Sequence, residues 1–173
     1  MGNALVVALQ MEEEGRRFYL RSAEKAKDPQ SKKWFNALAE DENRHIRIVR
    51  EIAGALNNTG KWPDLPADVN ADMVQRLGRF FLHPGENVVA ALKGDIGLKQ
   101  TLEMGMSNET KSFEFYRELA GGTKNMMEKD FYRALMAEEN NHFEILQNIN
   151  EFLFKTGDWF SDEEGKTWNW MNI

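Results

Sequence analysis

Residues 35–56 read FNALAEDENRHIRIVREIAGAL, and residues 132–153, 97 positions further on, read YRALMAEENNHFEILQNINEFL with no gap between the two registers. In the first stretch Phe35, Leu38, Val49, Ile52 and Leu56 follow a pattern of three- and four-residue steps, the mark of a helix with one buried seam. Tyr132, Leu135, Leu146, Ile149 and Leu153 repeat that seam in the second. Glu42 and His45 occupy seam positions in one, Glu139 and His142 in the other. Each helix therefore carries a carboxylate and an imidazole where apolar side chains belong.

The same shift of 97 brings Glu12 and Tyr19 onto Glu109 and Tyr116, Phe18 onto Phe115, and Thr59-Gly60-x-Trp62 onto Thr156-Gly157-x-Trp159. A period this long is not that of a solenoid; it reads as one helical hairpin present twice. Proline-free helical periodicity covers Asn3–Lys27, Gln30–Leu56, about Asp95–Ala120 and Lys124–Phe154. Breaks fall at Asp28-Pro29, at Gly121-Gly122 and across Asn57–Pro66. The expected fold is all-α: a four-helix bundle over residues 1–158 built from pseudo-symmetric hairpins 1–56 and 95–156, with an aromatic tail at 159–173. A crossover over residues 57–94 joins the hairpins, with Pro63, Pro66 and Pro84-Gly85 around a short helix expected at Ala71–Leu82. It is far longer than the usual link between antiparallel neighbours, and a long connection there is the ferritin-like topology.

Helix one presents Leu5, Ala8, Glu12, Gly15, Tyr19 and Ala23 on its seam, and helix three Leu102, Gly105, Glu109, Ser112, Tyr116 and Leu119. All four helices thus bring a carboxylate into the core. A buried, unpaired carboxylate costs several kcal/mol, so four together require compensating positive charge. No seam position holds Lys or Arg. Two divalent cations match four carboxylates charge for charge, and each can take one imidazole.

Glu12 and Glu42 lie 15 residues to either side of residue 27, and Glu109 and Glu139 lie 15 to either side of residue 124. At about 1.5 Å per residue each pair sits roughly 22 Å from its turn, so the carboxylates face one another across each hairpin. The i+3 spacing puts each His beside its Glu. Oxygen and nitrogen donors suit iron first and manganese second, with zinc as an adventitious occupant. Glu13 and Glu14 flank a seam position, Glu103 lies off the face of Glu109, and His83 sits among turn residues. All four read as solvated side chains rather than ligands.

The chain of 173 residues has a net charge of −6 and no Cys. Its acidity argues against a nucleic-acid partner, which needs clustered Lys and Arg. The lack of Cys excludes disulfides, thiol nucleophiles, zinc–thiolate and iron–sulfur centres. No run approaches the roughly 18 apolar residues of a membrane span, and Ala4–Leu9 lacks the basic leader of a signal peptide. A cytoplasmic location is expected.

Glu-x6-Tyr followed by Glu-x-x-His, twice on four helices, resembles the rubrerythrin branch of the ferritin-like di-iron carboxylate proteins. The resemblance implies that Glu12, Glu42 and His45 supply one half of a two-iron site and Glu109, Glu139 and His142 the other, with Glu42 and Glu139 bridging. It implies that Tyr19 and Tyr116 support the ligands from behind. Asp41 and Glu138, each directly before a bridging Glu, are expected to hold the His of the opposite half through its other ring nitrogen. Two features set the chain apart. It carries no Cys for a rubredoxin centre, so electrons must come from a separate donor protein. Ser112, with Gly15 at the symmetric place, stands where rubrerythrins carry an extra carboxylate, which makes the pattern six-liganded and nearer that of bacterioferritin.

Three functions follow from this reading. The first is an enzyme: a di-iron oxidoreductase that reduces hydrogen peroxide or O2 in oxidative-stress defence, expected as a homodimer, in which the long crossover would allow the hairpins to be exchanged. The alternative is an iron-handling protein, a ferroxidase or store of the ferritin type. A metal-free helical interaction module comes last, because it leaves the buried carboxylates uncompensated.

Overall fold

The computed structural model describes residues 3–64, 90 and 92–154. Among them stand four long helices and no strand: α1 (Asn3–Lys25), α2 (Pro29–Thr59), α3 (Ile96–Gly122) and α4 (Met126–Phe154). The chain is an all-α, ferritin-like four-helix bundle. The short helix expected at Ala71–Leu82, His83 and the aromatic tail 159–173 lie outside the described residues.

Local chemistry starts the helices where the repeat asks for it. The Asp28 carboxylate accepts from the Ser31 N–H at 2.8 Å with Pro29 in the first helical turn, so α2 begins capped. Asn125, 97 residues on, caps α4 by accepting from the Met127 N–H at 3.0 Å. Asp95 does the same for α3 through Leu98 N–H at 3.0 Å. Helix α1 stops at Lys25 rather than Lys27 and α4 begins at Met126 rather than Lys124, and two C-terminal ends run further than expected. Helix α2 continues past Leu56 to Thr59 and stops at Gly60, whose φ of +71° is the left-handed conformation that glycine adopts without strain. Gly121 and Gly122 stay helical, and α3 ends only at Thr123, whose N–H still bonds Leu119 O at 3.2 Å.

Helices α1 and α2 pack as one antiparallel hairpin and α3 and α4 as the other. Two large apolar clusters, to which every helix contributes, fill most of the bundle, and a small third one joins Phe113 of α3 to Phe143 of α4. Tyr19, Phe35, Leu102 and Leu146 belong to one large cluster; Ala8, Val49, Tyr116 and Leu135 belong to the other. Between them along each helix fall Glu12, Glu42 with His45, Glu109, and Glu139 with His142, all at most 3 % exposed. The bundle is thus an apolar block, a charged layer and a second apolar block.

Candidate metal centre

The charged layer has an internal two-fold pattern. His45 Nδ1 lies 3.0 Å from Glu12 Oε2, 3.6 Å from Glu139 Oε1 and 3.7 Å from Glu42 Oε2. His142 Nδ1 lies 3.4 Å from Glu42 Oε1 and 3.6 Å from Glu109 Oε2. The imidazoles stack with centroids 5.5 Å apart. Among the described residues, three sets of ligand-type atoms gather within 4.8 Å: two of four residues, Glu12, Glu42, His45 and Glu139, and Glu42, Glu109, Glu139 and His142, and one of three behind the layer, Asp41, His45 and Glu138. Glu42 and Glu139 belong to both four-residue sets, so one carboxylate from α2 and one from α4 span the two.

These spacings suit cations. Donors bound at about 2.1 Å stand roughly 3.0 Å apart at a right angle and about 3.4 Å apart at the tetrahedral angle. Glu139 Oε1 and His142 Nδ1 are buried without a hydrogen-bond partner although both face the layer. Leaving such atoms unpaired is costly, and coordination satisfies both. The residues present fit a pair of divalent ions.

The titration behaviour follows from burial and from the neighbours. Burial and the surrounding carboxylates Glu12 and Glu109 push the Glu42 carboxyl up to about 7, against the opposing pull of the two nearby imidazoles. Burial and the charges of Glu12, Glu109 and Glu42 push Glu139 well above its ordinary range. Burial works against Glu12 and Glu109 too, but His45 and His142 outweigh it and hold both below the ordinary carboxylate value. The imidazoles are raised for the same reason, carboxylate charge overcoming burial. On protein charges alone the shared glutamates hold protons, the positions that cations would take over.

The tyrosines act across the bundle. Tyr19 O–H on α1 donates to Glu109 Oε1 on α3, and Tyr116 O–H on α3 donates to Glu12 Oε1 on α1. Each therefore serves the other half's carboxylate rather than the one seven residues before it. Burial and adjacent carboxylates raise both phenols well above 10.0, so they remain donors.

Behind the imidazoles the halves differ. His142 Nε2 meets Asp41 Oδ2 at 3.1 Å. His45 Nε2 stands 3.7 Å from Glu138 Oε2, beyond hydrogen-bond reach, and 3.3 Å from Arg44 Nη2. Arg44 binds Asp41 Oδ1 through Nε at 3.1 Å and Glu138 Oε2 through Nη2 at 2.5 Å, joining α2 to α4. This guanidinium is a buried cation that the seam pattern does not contain: it lies one residue off the seam and is only 9 % exposed. Its i+3 spacing from Asp41, and Asn141 at its repeat mate, were the available signals. Arg44 pairs with Asp41 and Glu138; without metal, the inner carboxylates are balanced by the two raised imidazoles and by protons on Glu42 and Glu139.

Glu13 pairs with Arg50 at 2.8 Å, Glu14 with Gln10 at 2.9 Å and Glu103 with Lys99 at 3.6 Å, all away from the layer. The layer is closed on the α2/α4 side by Asp41, Arg44 and Glu138. On the α1/α3 side a cavity of about 340 Å3 reaches Glu42 and Glu109 beside Gly15 and Ser112. No helix among the described residues is long and apolar enough to cross a membrane.

A family model described as Rubrerythrin matches residues 3–76, which take in both α1 and α2. No curated protein and no solved structure matches the chain.

Proposed function

From the rubrerythrin likeness of residues 3–76, we propose that the chain is a di-iron carboxylate oxidoreductase that reduces hydrogen peroxide or O2 with electrons from an external donor protein. The observation that carries this reading is the pair of overlapping buried four-ligand groups sharing Glu42 and Glu139. Glu12, Glu42 and His45, with Glu109, Glu139 and His142, are the ligands in this proposal, and iron is favoured over manganese. When bound, two redox-active ions at such a site supply two electrons to an O–O bond.

The side chains around the ligands have definable tasks. With a cation bound, Asp41 would accept the Nε2 proton of His142 and leave the Nδ1 lone pair to the ion. Tyr19 and Tyr116 each fix one oxygen of Glu109 and Glu12, leaving the other directed at the imidazoles. The apolar clusters shield the layer from above and below, and the α1/α3 cavity gives it access to solvent.

Ferroxidase or storage chemistry is the second reading, and Gly15 and Ser112 favour it because neither half carries the extra carboxylate of rubrerythrins. Anaerobic Fe(II) titration followed by separate mixing with peroxide and O2, followed by absorbance, separates the two. Two irons per chain oxidised much faster by peroxide support the reductase. Many irons accumulating per chain after O2 support storage, and no reaction with either oxidant removes the redox assignment.

A further inference from the structure

The cavity on the α1/α3 side is larger than a diatomic oxidant needs. Its volume of about 340 Å3 lies within the range of pockets that hold small organic molecules. Hydrogen peroxide would occupy a small part of it. Exposure falls across its lining: Arg17, Arg21 and Lys111 are exposed, Met11 and Phe18 are half-buried, and Glu42 and Glu109 are buried. A charged rim thus gives way to an apolar wall that ends on two of the candidate ligands.

Gly15 holds that end open. A Cβ at this position would stand 3.2 Å from Glu42 Cδ and 3.3 Å from Glu42 Oε1, in the approach to the carboxylate. The repeat mate Ser112 lines the opposite wall with a small side chain. Small residues at both equivalent places leave space beside the layer, whereas the α2/α4 side is filled by the Arg44 bridge.

We propose that this cavity binds the organic body of a hydroperoxide, with the body against Met11 and Phe18 and the O–O end toward Glu42 and Glu109, so that the substrate class extends to small organic hydroperoxides. The proposal rests on the oxidoreductase reading above. The conversion is balanced: ROOH takes two electrons from the external donor protein and two protons, the O–O bond breaks, and an alcohol and water leave. Gly15 and Ser112 are the specificity-determining residues, since their size sets the space beside the layer.

The test uses the full chain and two readouts. Titration of 15N-labelled protein with cumyl alcohol, an unreactive product analogue, is expected to shift the amides of Gly15, Phe18, Asn108 and Ser112. In Fe(II)-loaded protein, cumene hydroperoxide is expected to oxidise the iron at a rate within about tenfold of hydrogen peroxide. Ser112→Phe and, independently, Asn108→Trp are expected to abolish the shifts and to slow cumene hydroperoxide about tenfold or more relative to hydrogen peroxide. Oxidation by hydrogen peroxide without localised shifts would overturn this proposal and leave the oxidoreductase reading standing. Shifts without oxidation by either peroxide would overturn both. An unchanged rate ratio in either folded variant also overturns it.

Discussion

The two hairpins present nearly the same inner surface to the charged layer and different outer ones. Glu, Tyr, Glu and His recur at an exact spacing of 97, yet behind His142 stands a carboxylate at 3.1 Å and behind His45 a guanidinium at 3.3 Å. Two exchanges between repeat mates account for this. Asp41 is matched by the longer Glu138, and Arg44 by Asn141. The guanidinium takes Glu138 Oε2 at 2.5 Å, and His45 is left 3.7 Å from it. A duplicated site can therefore keep its ligands while its two imidazoles acquire unlike electrostatic support, and unlike support implies unequal metal affinities.

Removal of a shared carboxylate tests where the symmetry is strongest. Glu42→Ala or Glu139→Ala is expected to abolish tight binding of both ions, whereas Glu12→Ala or Glu109→Ala should weaken mainly one. Calorimetric titration with metal analysis distinguishes these outcomes, and loss of only one ion in Glu42→Ala would show that the carboxylate is not shared.

Acidity probes the same layer without mutation. Glu42 is raised to about 7, so the folded chain holds a proton there that the unfolded chain has released. Metal-free stability is then lost from this group as pH rises from 4.5 through about 7, and the freed carboxylate gains metal over the same window. Glu12 and Glu109 have the opposite sign: their contribution is present above 4.5 and lost as pH falls through their lowered values. The raised His45 and His142 contribute fully below 6.5 and lose that contribution as pH rises through their folded values. The metal-free protein should be most heat-resistant near pH 4.5 and lose stability as pH rises from there through about 7, and metal affinity should fall about tenfold per pH unit below 7 for each proton displaced. Melting curves and competitive chelator titrations across that range check both slopes.

The outer surfaces give the next effects in size. Arg44→Asn makes the halves alike at that position but leaves Asp41 and Glu138 buried without their cation, at a cost of about 3 kcal/mol in chemical denaturation. Asp41→Ala should weaken metal binding on the His142 side by roughly 10- to 100-fold, and Glu138→Ala should do less on the His45 side. Equal losses from the two would erase the proposed difference between the halves. The smallest effects belong to the tyrosines, where the halves match. Tyr19→Phe and Tyr116→Phe each remove a bond to a charged acceptor worth about 1.5–3 kcal/mol, and should lower the melting temperature by similar amounts of several degrees.

Periodicity and charge made much of this legible from sequence. Glu12, Glu42, His45, Glu109, Glu139 and His142 stand out because a buried seam is read from spacing and a carboxylate in it is anomalous whatever surrounds it. The structure brings these six together in one layer. Arg44 was not legible in the same way: its burial depends on Glu138 of another helix, and no one-helix pattern reports that contact. The crossed tyrosine bonds were hidden likewise, because spacing along α1 or α3 says nothing about which neighbour an O–H meets. Gly121 and Gly122 read as a break by propensity, yet α3 carries through them.

Because each helix passes through an apolar block, the charged layer and a second apolar block, the layer also acts as an alignment key. A slip of one helix by a single turn, about 5.4 Å, would carry its glutamate into an aliphatic or aromatic neighbourhood and put Leu38 or Leu135, or on α1 and α3 a small residue such as Ala8 or Gly105, among the carboxylates. Apolar seams alone tolerate such slips poorly but do not forbid them, and a mismatched charge does. The residues that hold the metal in the proposed function would then also select one vertical alignment of four helices from several of similar hydrophobic content.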